Sequence, residues 1–248
     1  MISDDDRLAA DLAAEAGRRL LALRAAGGAA DELRRAGDRS SHEFLAAELA
    51  RQRPGDAVLS EEGADDLARL SADRVWIVDP LDGTREFGEP GRSDWAVHVA
   101  LWERGELTAG AVALPAQDKV LSTADPVKAP APPDPPAVLR LLVSRTRPPE
   151  FMTRLARKLD AELVPMGSAG AKAAAVICGD AEAYVHSGGQ YEWDSAAPVA
   201  VAVASGLHAS RIDGSKLSYN QAKPSLPDIL ICQAALADPL LEAISSVR

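Results

Sequence analysis

The sequence is poor in basic and in aromatic residues. Its 248 residues contain 27 Lys and Arg against 37 Asp and Glu, a formal net charge of −10, and only 4% are aromatic. Proteins that bind nucleic acid or anionic membranes non-specifically are usually basic, so neither kind of partner is expected. The charge also disfavours an anionic small-molecule ligand, unless bound metal ions supply positive charge.

Cysteine is scarce, and long apolar runs are absent. Cys178 and Cys232 belong to no CxxC pair and to no set of zinc-like ligands, so we expect two reduced structural thiols. No segment approaches the roughly 20 apolar residues of a membrane span. The acidic N-terminus lacks the uninterrupted apolar core of a signal peptide. These absences predict a cytoplasmic protein.

The apolar pattern indicates a mixed α/β protein. Hydrophobic residues make up 47% of the chain, enough for a sizeable core. Their spacing predicts helices over 4–25 and 41–53, a buried strand over 75–78 and a β-rich meander over 96–122. Strands and helices alternate in the second half, which is typical of the α/β class.

A proline-rich segment divides the sequence. Residues 125–138 contain six prolines, which exclude a helix or an inner strand there. We therefore predict an N-terminal α+β half (1–124), a connection (125–137) and a C-terminal α/β half (138–248).

Two carboxylates mark the end of the strand predicted over 75–78. Asp79 and Asp82 have no basic residue between them; Gly83 then permits close backbone approach, and Thr84 brings a hydroxyl. Carboxylates this close repel each other unless one is protonated or a cation lies between them. Mg²⁺ prefers oxygen ligands, and the carbonyl of Leu81 is another. The alternative is an Asx-turn, in which the aspartates bind only their own backbone.

Two further acidic positions favour the metal interpretation. Glu61 also follows a predicted strand, and Asp194 stands where a helix is predicted to begin. Alone, the first would be a solvated loop residue and the second an N-cap. Taken with the paired aspartates, they predict a cage for two or three metal ions.

Three motifs in this order, "SEEG", "DPLDGT" and "EWDSAAP", resemble the signature of a phosphatase superfamily. It is the Mg²⁺-dependent, Li⁺-sensitive superfamily that includes inositol monophosphatases, fructose-1,6-bisphosphatases and 3′(2′),5′-bisphosphate nucleotidases. The resemblance covers essentially the whole chain. It implies a layered α-β-α-β-α sandwich, the sugar-phosphatase fold, and a homodimer.

The resemblance assigns the metal ligands. Glu61, Asp79 and the Leu81 carbonyl resemble the ligands of a first Mg²⁺. Asp79, Asp82 and Asp194 resemble the ligands of a second ion. Li⁺ is the expected inhibitor.

It also assigns the reacting groups. Thr84 and Glu61 resemble the residues that orient the attacking water, and Asp82 contributes to catalysis as the shared ligand. The turn from Leu81 through Gly83 to Thr84, together with Asp194, resembles the part of the superfamily's active site that binds the phosphate of the substrate.

The sequence departs from the superfamily pattern at one place. Members of this superfamily usually carry a threonine and an aspartate on the second helix, where this chain has "GDRSSHEFL". Glu43 is the first candidate to replace that aspartate, and Asp38 is the second.

The second half points to a substrate. "VSRTRPPE" and "GSAGAK" resemble segments of CysQ-type bisphosphate nucleotidases. A substrate with two phosphates needs a cation for the phosphate that is not cleaved, and Lys172 and Arg145 are candidates. Ser168 and Glu192 are further candidates for substrate contact. For Lys172 the alternative is a solvated helix face.

The resemblance thus implies an enzyme that converts 3′-phosphoadenosine 5′-phosphate to AMP and phosphate, and also accepts the 5′-phosphosulfate analogue. Inositol or fructose-bisphosphate phosphatase activity is the alternative, and a non-catalytic nucleotide- and metal-binding module is a remote third. His98 is predicted to be a core or turn partner and not a catalyst.

Overall fold

Five layers of helices and sheets alternate in the computed structural model, which describes residues 2–128 and 138–248. The α-β-α-β-α sandwich expected from the sequence is confirmed. The helices described are α1 (Asp4–Ala26), α2 (Ala30–Gln52), α3 (Thr84–Gly88), α4 (Met152–Leu159), α5 (Ala169–Cys178), α6 (Glu192–Ala204) and α7 (Ala237–Val247). The strands described are β1 (Ala57–Ser60), β2 (Arg74–Asp82), β3 (Ala96–Glu103), β4 (Glu106–Leu114), β5 (Lys119–Ser122), β6 (Arg140–Ser144), β7 (Glu162–Met166), β8 (Ala183–Tyr191), β9 (His208–Ser210) and β10 (Ser225–Cys232).

The first sheet has the order β1-β2-β3-β4-β5, with β1 parallel to β2 and all other pairs antiparallel. Helices α1 and α2 cover one of its faces. A capping box between Ser3 and Asp6 begins α1, and Leu8, Leu12 and Leu20 then recur on its buried side. The strand predicted over 75–78 is buried throughout, as its continuous apolar run indicated.

The second sheet has the order β7-β6-β8-β10-β9. Helices α5 and α6 lie between the two sheets, and their alanine-rich sides belong to a core shared by both halves of the chain. Helices α4 and α7 form the outermost layer, against the far face of the second sheet. Because α5 and α6 pack on both sheets, residues from the two halves meet at one edge of the sandwich.

Two boundaries differ from the sequence-based expectation. Helix α2 begins at Ala30, well before the predicted start at 41, and it continues through Gly37. Helix α7 follows the last strand, where none was predicted. Most of the proline-rich connection, residues 129–137, lies outside the described residues, so the division into halves stays a prediction. In the described ranges, no helix is long and apolar enough to cross a membrane.

Candidate active site

A polar cavity of about 620 Å³ opens where the first sheet meets α5 and α6. Its walls come from both halves of the chain. All the site residues predicted from the sequence except Glu192 line it: Glu61, Asp79, Leu81, Asp82, Gly83, Thr84, Arg145, Ser168, Lys172 and Asp194. The convergence of residues more than a hundred positions apart identifies this cavity as the candidate active site.

Three carboxylates converge in the cavity. Each of Asp79, Asp82 and Asp194 offers an oxygen, and these three oxygens lie within 4.8 Å of one another. Asp79 is fully buried, and its Oδ1 accepts a hydrogen bond from the Leu81 N–H at 3.0 Å. The Asx-turn considered as an alternative is therefore present, but it uses only one Asp79 oxygen. The local turn and the acidic cluster coexist.

Burial and then mutual repulsion perturb the acids of the cavity. Burial, followed by the charges of Glu61 and Asp82, raises the pKa of Asp79 well above its ordinary value. Burial and then Asp82 raise the pKa of Asp194 to about 6. Burial and then Asp194 raise the pKa of Glu61 to about 7. A hard divalent cation would relieve this repulsion, and a set of carboxylate oxygens fits such an ion.

Asp82 is held differently from its neighbours. Its Oδ2 accepts hydrogen bonds from the Ser168 hydroxyl and from the Gly170 N–H at 2.7 Å, and His98 Nε2 lies 3.2 Å away. Burial alone would raise the pKa of Asp82, but His98, Lys172 and the Ser168 hydrogen bond together lower it below the ordinary value. Asp82 therefore stays ionised and ties β2 to the start of α5.

His98 is a site residue that the sequence did not reveal. It is fully buried, as predicted for a core partner, and its Nδ1 lies 3.0 Å from the Trp193 carbonyl. A carbonyl only accepts, so Nδ1 carries a hydrogen, and Nε2 faces the Asp82 carboxylate. Burial lowers the pKa of His98, but Asp82, the Trp193 carbonyl and Asp194 together raise it above its ordinary value, which favours the protonated ring.

Asp194 does not cap α6 in the way predicted. The helix begins two residues earlier, at Glu192, so Asp194 occupies its third position and not the N-cap. Its Oδ2 accepts a hydrogen bond from the Tyr191 N–H at 2.6 Å. This contact fixes the carboxylate at the edge of the cavity.

Thr84 has its aspartate partner, and it is the second candidate of the two. Thr84 Oγ1 lies 3.2 Å from Asp38 Oδ1 and 3.0 Å from the Leu81 carbonyl. Burial, followed by the charge of Glu62, raises the pKa of Asp38 to about 6. Glu43 is exposed on the same helix and makes no hydrogen bond to Thr84, so the first candidate was wrong.

Lys172 is not on a solvated helix face. It is 4% exposed, its Nζ donates to the Gly167 and Ser168 carbonyls, and it lies 5.0 Å from the centre of the Tyr184 ring. Burial lowers its pKa to about 8. Its ammonium group thus contributes a fixed positive charge to the wall of a strongly acidic cavity.

Three arginines line the cavity, Arg85, Arg145 and Arg147, and Arg145 is already paired. Arg145 donates to Glu86 and to Glu89, which neutralise its charge. Arg147 is exposed, and Gly189 lacks a side chain where a Cβ would lie 3.3 Å from the Arg147 guanidinium. No carboxylate of residues 2–128 or 138–248 lies within 4.0 Å of that guanidinium. Sequence reasoning missed Arg147, although it lies within the quoted "VSRTRPPE".

Glu192 lies outside the cavity. Its two carboxylate oxygens accept hydrogen bonds from the backbone N–H groups of Asn220, at 2.6 Å, and Gln221, at 2.8 Å. Because the side chain is 1% exposed and does not line the cavity, Glu192 cannot reach a substrate there. The predicted substrate contact of Glu192 is corrected accordingly.

The sequence profile of the inositol monophosphatase family matches residues 7–246. The chain belongs to this family. Its members are metal-dependent, and the cluster of Asp79, Asp82 and Asp194 could hold a metal ion. The phosphatase superfamily predicted from the three motifs is confirmed.

Relatives within the family have related names. A Mycobacterium bovis protein named 3′-phosphoadenosine 5′-phosphate phosphatase is 56% identical over 239 residues, which cover 93% of this chain and 90% of that protein. The 3′(2′),5′-bisphosphate nucleotidase CysQ of Salmonella typhimurium is 31% identical, over 74% of this chain and 78% of its own.

Solved structures agree with the family fold. The crystal structure of CysQ from Bacteroides thetaiotaomicron has a TM-score of 0.79 at 26% identity and covers 93% of this chain and 97% of its own. Inositol monophosphatase II from Staphylococcus aureus has a TM-score of 0.76 at 22% identity, over 95% and 94% of the two chains. The second likeness shows the fold alone.

Proposed function

We propose that this chain is a metal-dependent phosphatase that removes the 3′-phosphate of 3′-phosphoadenosine 5′-phosphate, giving AMP and inorganic phosphate. The observation that carries the proposal is one cavity that holds an acidic cluster and, from the other half of the chain, the buried cation of Lys172. The name and 56% identity of the Mycobacterium bovis relative support this substrate.

Mg²⁺ is the proposed metal and Li⁺ the proposed inhibitor, as the resemblance implies. The residues that would hold Mg²⁺ are Glu61, Asp79, the Leu81 carbonyl, Asp82 and Asp194. When bound, such ions supply the positive charge that polarises a phosphate ester and acidifies water. They also explain how a chain with a net charge of −10 can take an anionic substrate.

The chain's own groups position the water. An ionised Asp38 is a stronger acceptor than the Leu81 carbonyl, so it draws the single proton of the Thr84 hydroxyl. The Thr84 lone pairs are then free to accept a hydrogen bond from a water in the cavity. Glu61, which lines the same cavity, is the proposed acceptor of the proton that this water releases.

The second phosphate needs a cation that the first does not use. Lys172 is the proposed positive charge for this phosphate. Burial lowers its pKa more than the neighbouring acids raise it. Arg145 would first have to leave Glu86 and Glu89. Arg147, with no such partner, is the better placed arginine, and we include it in the proposed substrate site.

A comparison of kcat/KM tests the substrate. We expect 3′-phosphoadenosine 5′-phosphate to exceed inositol 1-phosphate and fructose 1,6-bisphosphate by at least tenfold. Inositol 1-phosphate has no second phosphate for Lys172 and Arg147, and fructose 1,6-bisphosphate spaces its two phosphates differently. A preference for either sugar phosphate would refute the nucleotidase proposal. No phosphate release above the no-enzyme control from any of them would favour a non-catalytic binding module.

A variant localises the second phosphate. Arg147→Ala should lower kcat/KM for 3′-phosphoadenosine 5′-phosphate by about tenfold or more, the cost of one charged hydrogen bond. The same variant should leave adenosine 3′-monophosphate almost unaffected. Equal losses on both substrates would show that Arg147 does not contact the 5′-phosphate. The 5′-phosphosulfate substrate, the homodimer and the cytoplasmic location stay predictions.

A further inference from the structure

A chain of hydrogen bonds outside the cavity begins at Arg69, just beyond the loop that contains Glu61. The Arg69 side chain is 1% exposed and pairs with Asp65 at 2.7 and 3.0 Å. Its other contacts cross to a distant segment: Nη1 donates to Asn220 Oδ1 at 2.6 Å, and Nη2 donates to the Gln221 carbonyl at 2.9 Å.

The same segment continues to the helix that carries Asp194. The Asn220 side-chain amide donates back to the Arg69 carbonyl at 3.1 Å. The backbone N–H groups of Asn220 and Gln221 donate to the two oxygens of Glu192, the first residue of α6. We call the set Asp65, Arg69, Asn220 and Glu192 the brace.

The two ends of the brace lie close to two acids of the cavity. Asp65 is four residues after Glu61, and Glu192 is two residues before Asp194. The loop after β1 has few strong contacts of its own, since the Glu61 and Gly63 N–H groups donate over 3.4 and 3.3 Å. Glu61 and Asp194 also repel each other. Something other than local backbone bonding must therefore keep these segments together.

We propose that the brace is a positioning device: it holds the Glu61 loop and the start of α6 at the spacing that a divalent cation needs. Glu192 is then a positioning residue and not a substrate contact. The inference rests on the proposed function only in taking the cation to be Mg²⁺. It concerns binding of the ion by the free protein, so its test requires no substrate.

The test compares two carboxylates with the same kind of environment. Glu192→Gln breaks the brace at one end, because an amide offers one acceptor where two N–H groups need two. Asp228→Asn is the matched control. Asp228 is also buried and accepts from Arg211 at 2.7 and 2.8 Å and from the Ile212 N–H, but it lies in β10 and does not line the cavity.

A second substitution removes the middle of the brace without replacing an acidic residue. Asn220 has φ of 59°, a left-handed conformation that glycine adopts readily, so Asn220→Gly removes the amide side chain with little backbone strain. Asn220→Asp is the conservative variant, because it keeps an acceptor for Arg69.

The measurement is titration of each protein with Mg²⁺ alone by isothermal calorimetry, beside a thermal melt without metal. Both Glu192→Gln and Asp228→Asn should lower the metal-free melting temperature. Only Glu192→Gln and Asn220→Gly should also weaken Mg²⁺ binding, by about tenfold or more, and Asn220→Asp should restore part of the loss.

Unchanged Mg²⁺ affinity in Glu192→Gln and Asn220→Gly, or equal weakening in Asp228→Asn, would refute the brace and leave the proposed function intact. A wild-type protein with no saturable Mg²⁺ binding would refute the proposed metal dependence and the brace with it.

Discussion

Replacing Asp38 by asparagine should slow catalysis without affecting the metal cluster. The Thr84 hydroxyl has one proton and two acceptors within reach, Asp38 Oδ1 at 3.2 Å and the Leu81 carbonyl at 3.0 Å. While Asp38 is ionised, its charge decides the competition. An asparagine in its place is neutral and can donate to Thr84, so the hydroxyl would turn to Leu81 and lose its orientation.

The size of the effect follows from the bond that is lost. A hydrogen bond to a charged group contributes about 2–3 kcal/mol, which corresponds to a fall in kcat of about 30- to 150-fold. The pH profile should change as well. The pKa of Asp38 is raised to about 6, so wild-type activity should rise through that pH as Asp38 ionises. Asp38→Asn should lack that limb.

The assay is phosphate release at saturating substrate and Mg²⁺ between pH 5 and 8, with Glu43→Gln as the control from the same helix. Glu43 is exposed and does not contact Thr84, so its variant should behave like the wild type. If Asp38→Asn kept wild-type kcat, or if Glu43→Gln lost as much, the pairing of Asp38 with Thr84 would have no catalytic meaning.

Three further predictions concern the cavity wall. Asp82→Asn removes the charge that faces His98 and should lower kcat/KM by about 10³-fold; near-wild-type turnover at saturating Mg²⁺ would contradict this. Gly170→Ala would place a Cβ 2.1 Å from His98 Nε2, so its melting temperature should fall by about 5 °C, whereas Gly55→Ala, in open space, should melt as the wild type does. In the presence of a chelator, the free energy of unfolding measured in urea should fall by about 3 kcal/mol as the pH rises from about 4 to 6. The pKa of Asp194 is raised from 3.8 to about 6 in the folded state, so over this range the folded state holds a proton that the unfolded state releases. A free energy of unfolding that does not change with pH would refute this.

The acidic residues of the cavity were predictable because each stands in the last part of a strand, directly after a strand or in the first turn of a helix. The pairing of Thr84 with Asp38 was not predictable in this way, and the packing at Gly37 shows the reason. The second helix was predicted to begin only at residue 41, yet α2 begins at Ala30 and continues through Gly37. A Cβ at Gly37 would lie 2.8 Å from Phe87 and 2.9 Å from Leu81. The glycine permits close packing and does not break the helix, and this packing brings Asp38 to the site.

His98 was hidden for a different reason. Its place in β3 was predicted, but its neighbours depend on strand register, which puts it opposite Asp79 in the adjacent antiparallel strand. Glycine at position 170 then leaves room for the ring beside α5. Neither the register nor this approach has a signal in a single sequence. The acidic cluster could be predicted because its members share one chemistry, whereas the contacts of His98 required the structure.

The bonds from Ser168 and Gly170 to Asp82 mean that neither half of the chain contains a finished site. Residues 2–128 carry most of the acids but not the two hydrogen-bond donors to Asp82. Residues 138–248 carry those donors and Lys172, with a single acid of the cluster. Two fragments divided at the proline-rich segment would therefore be silent apart and active only after reassociation. The rate of phosphate release would then measure how many fragment pairs have reassembled. The protein could therefore serve as a split-enzyme reporter of association between its two fragments.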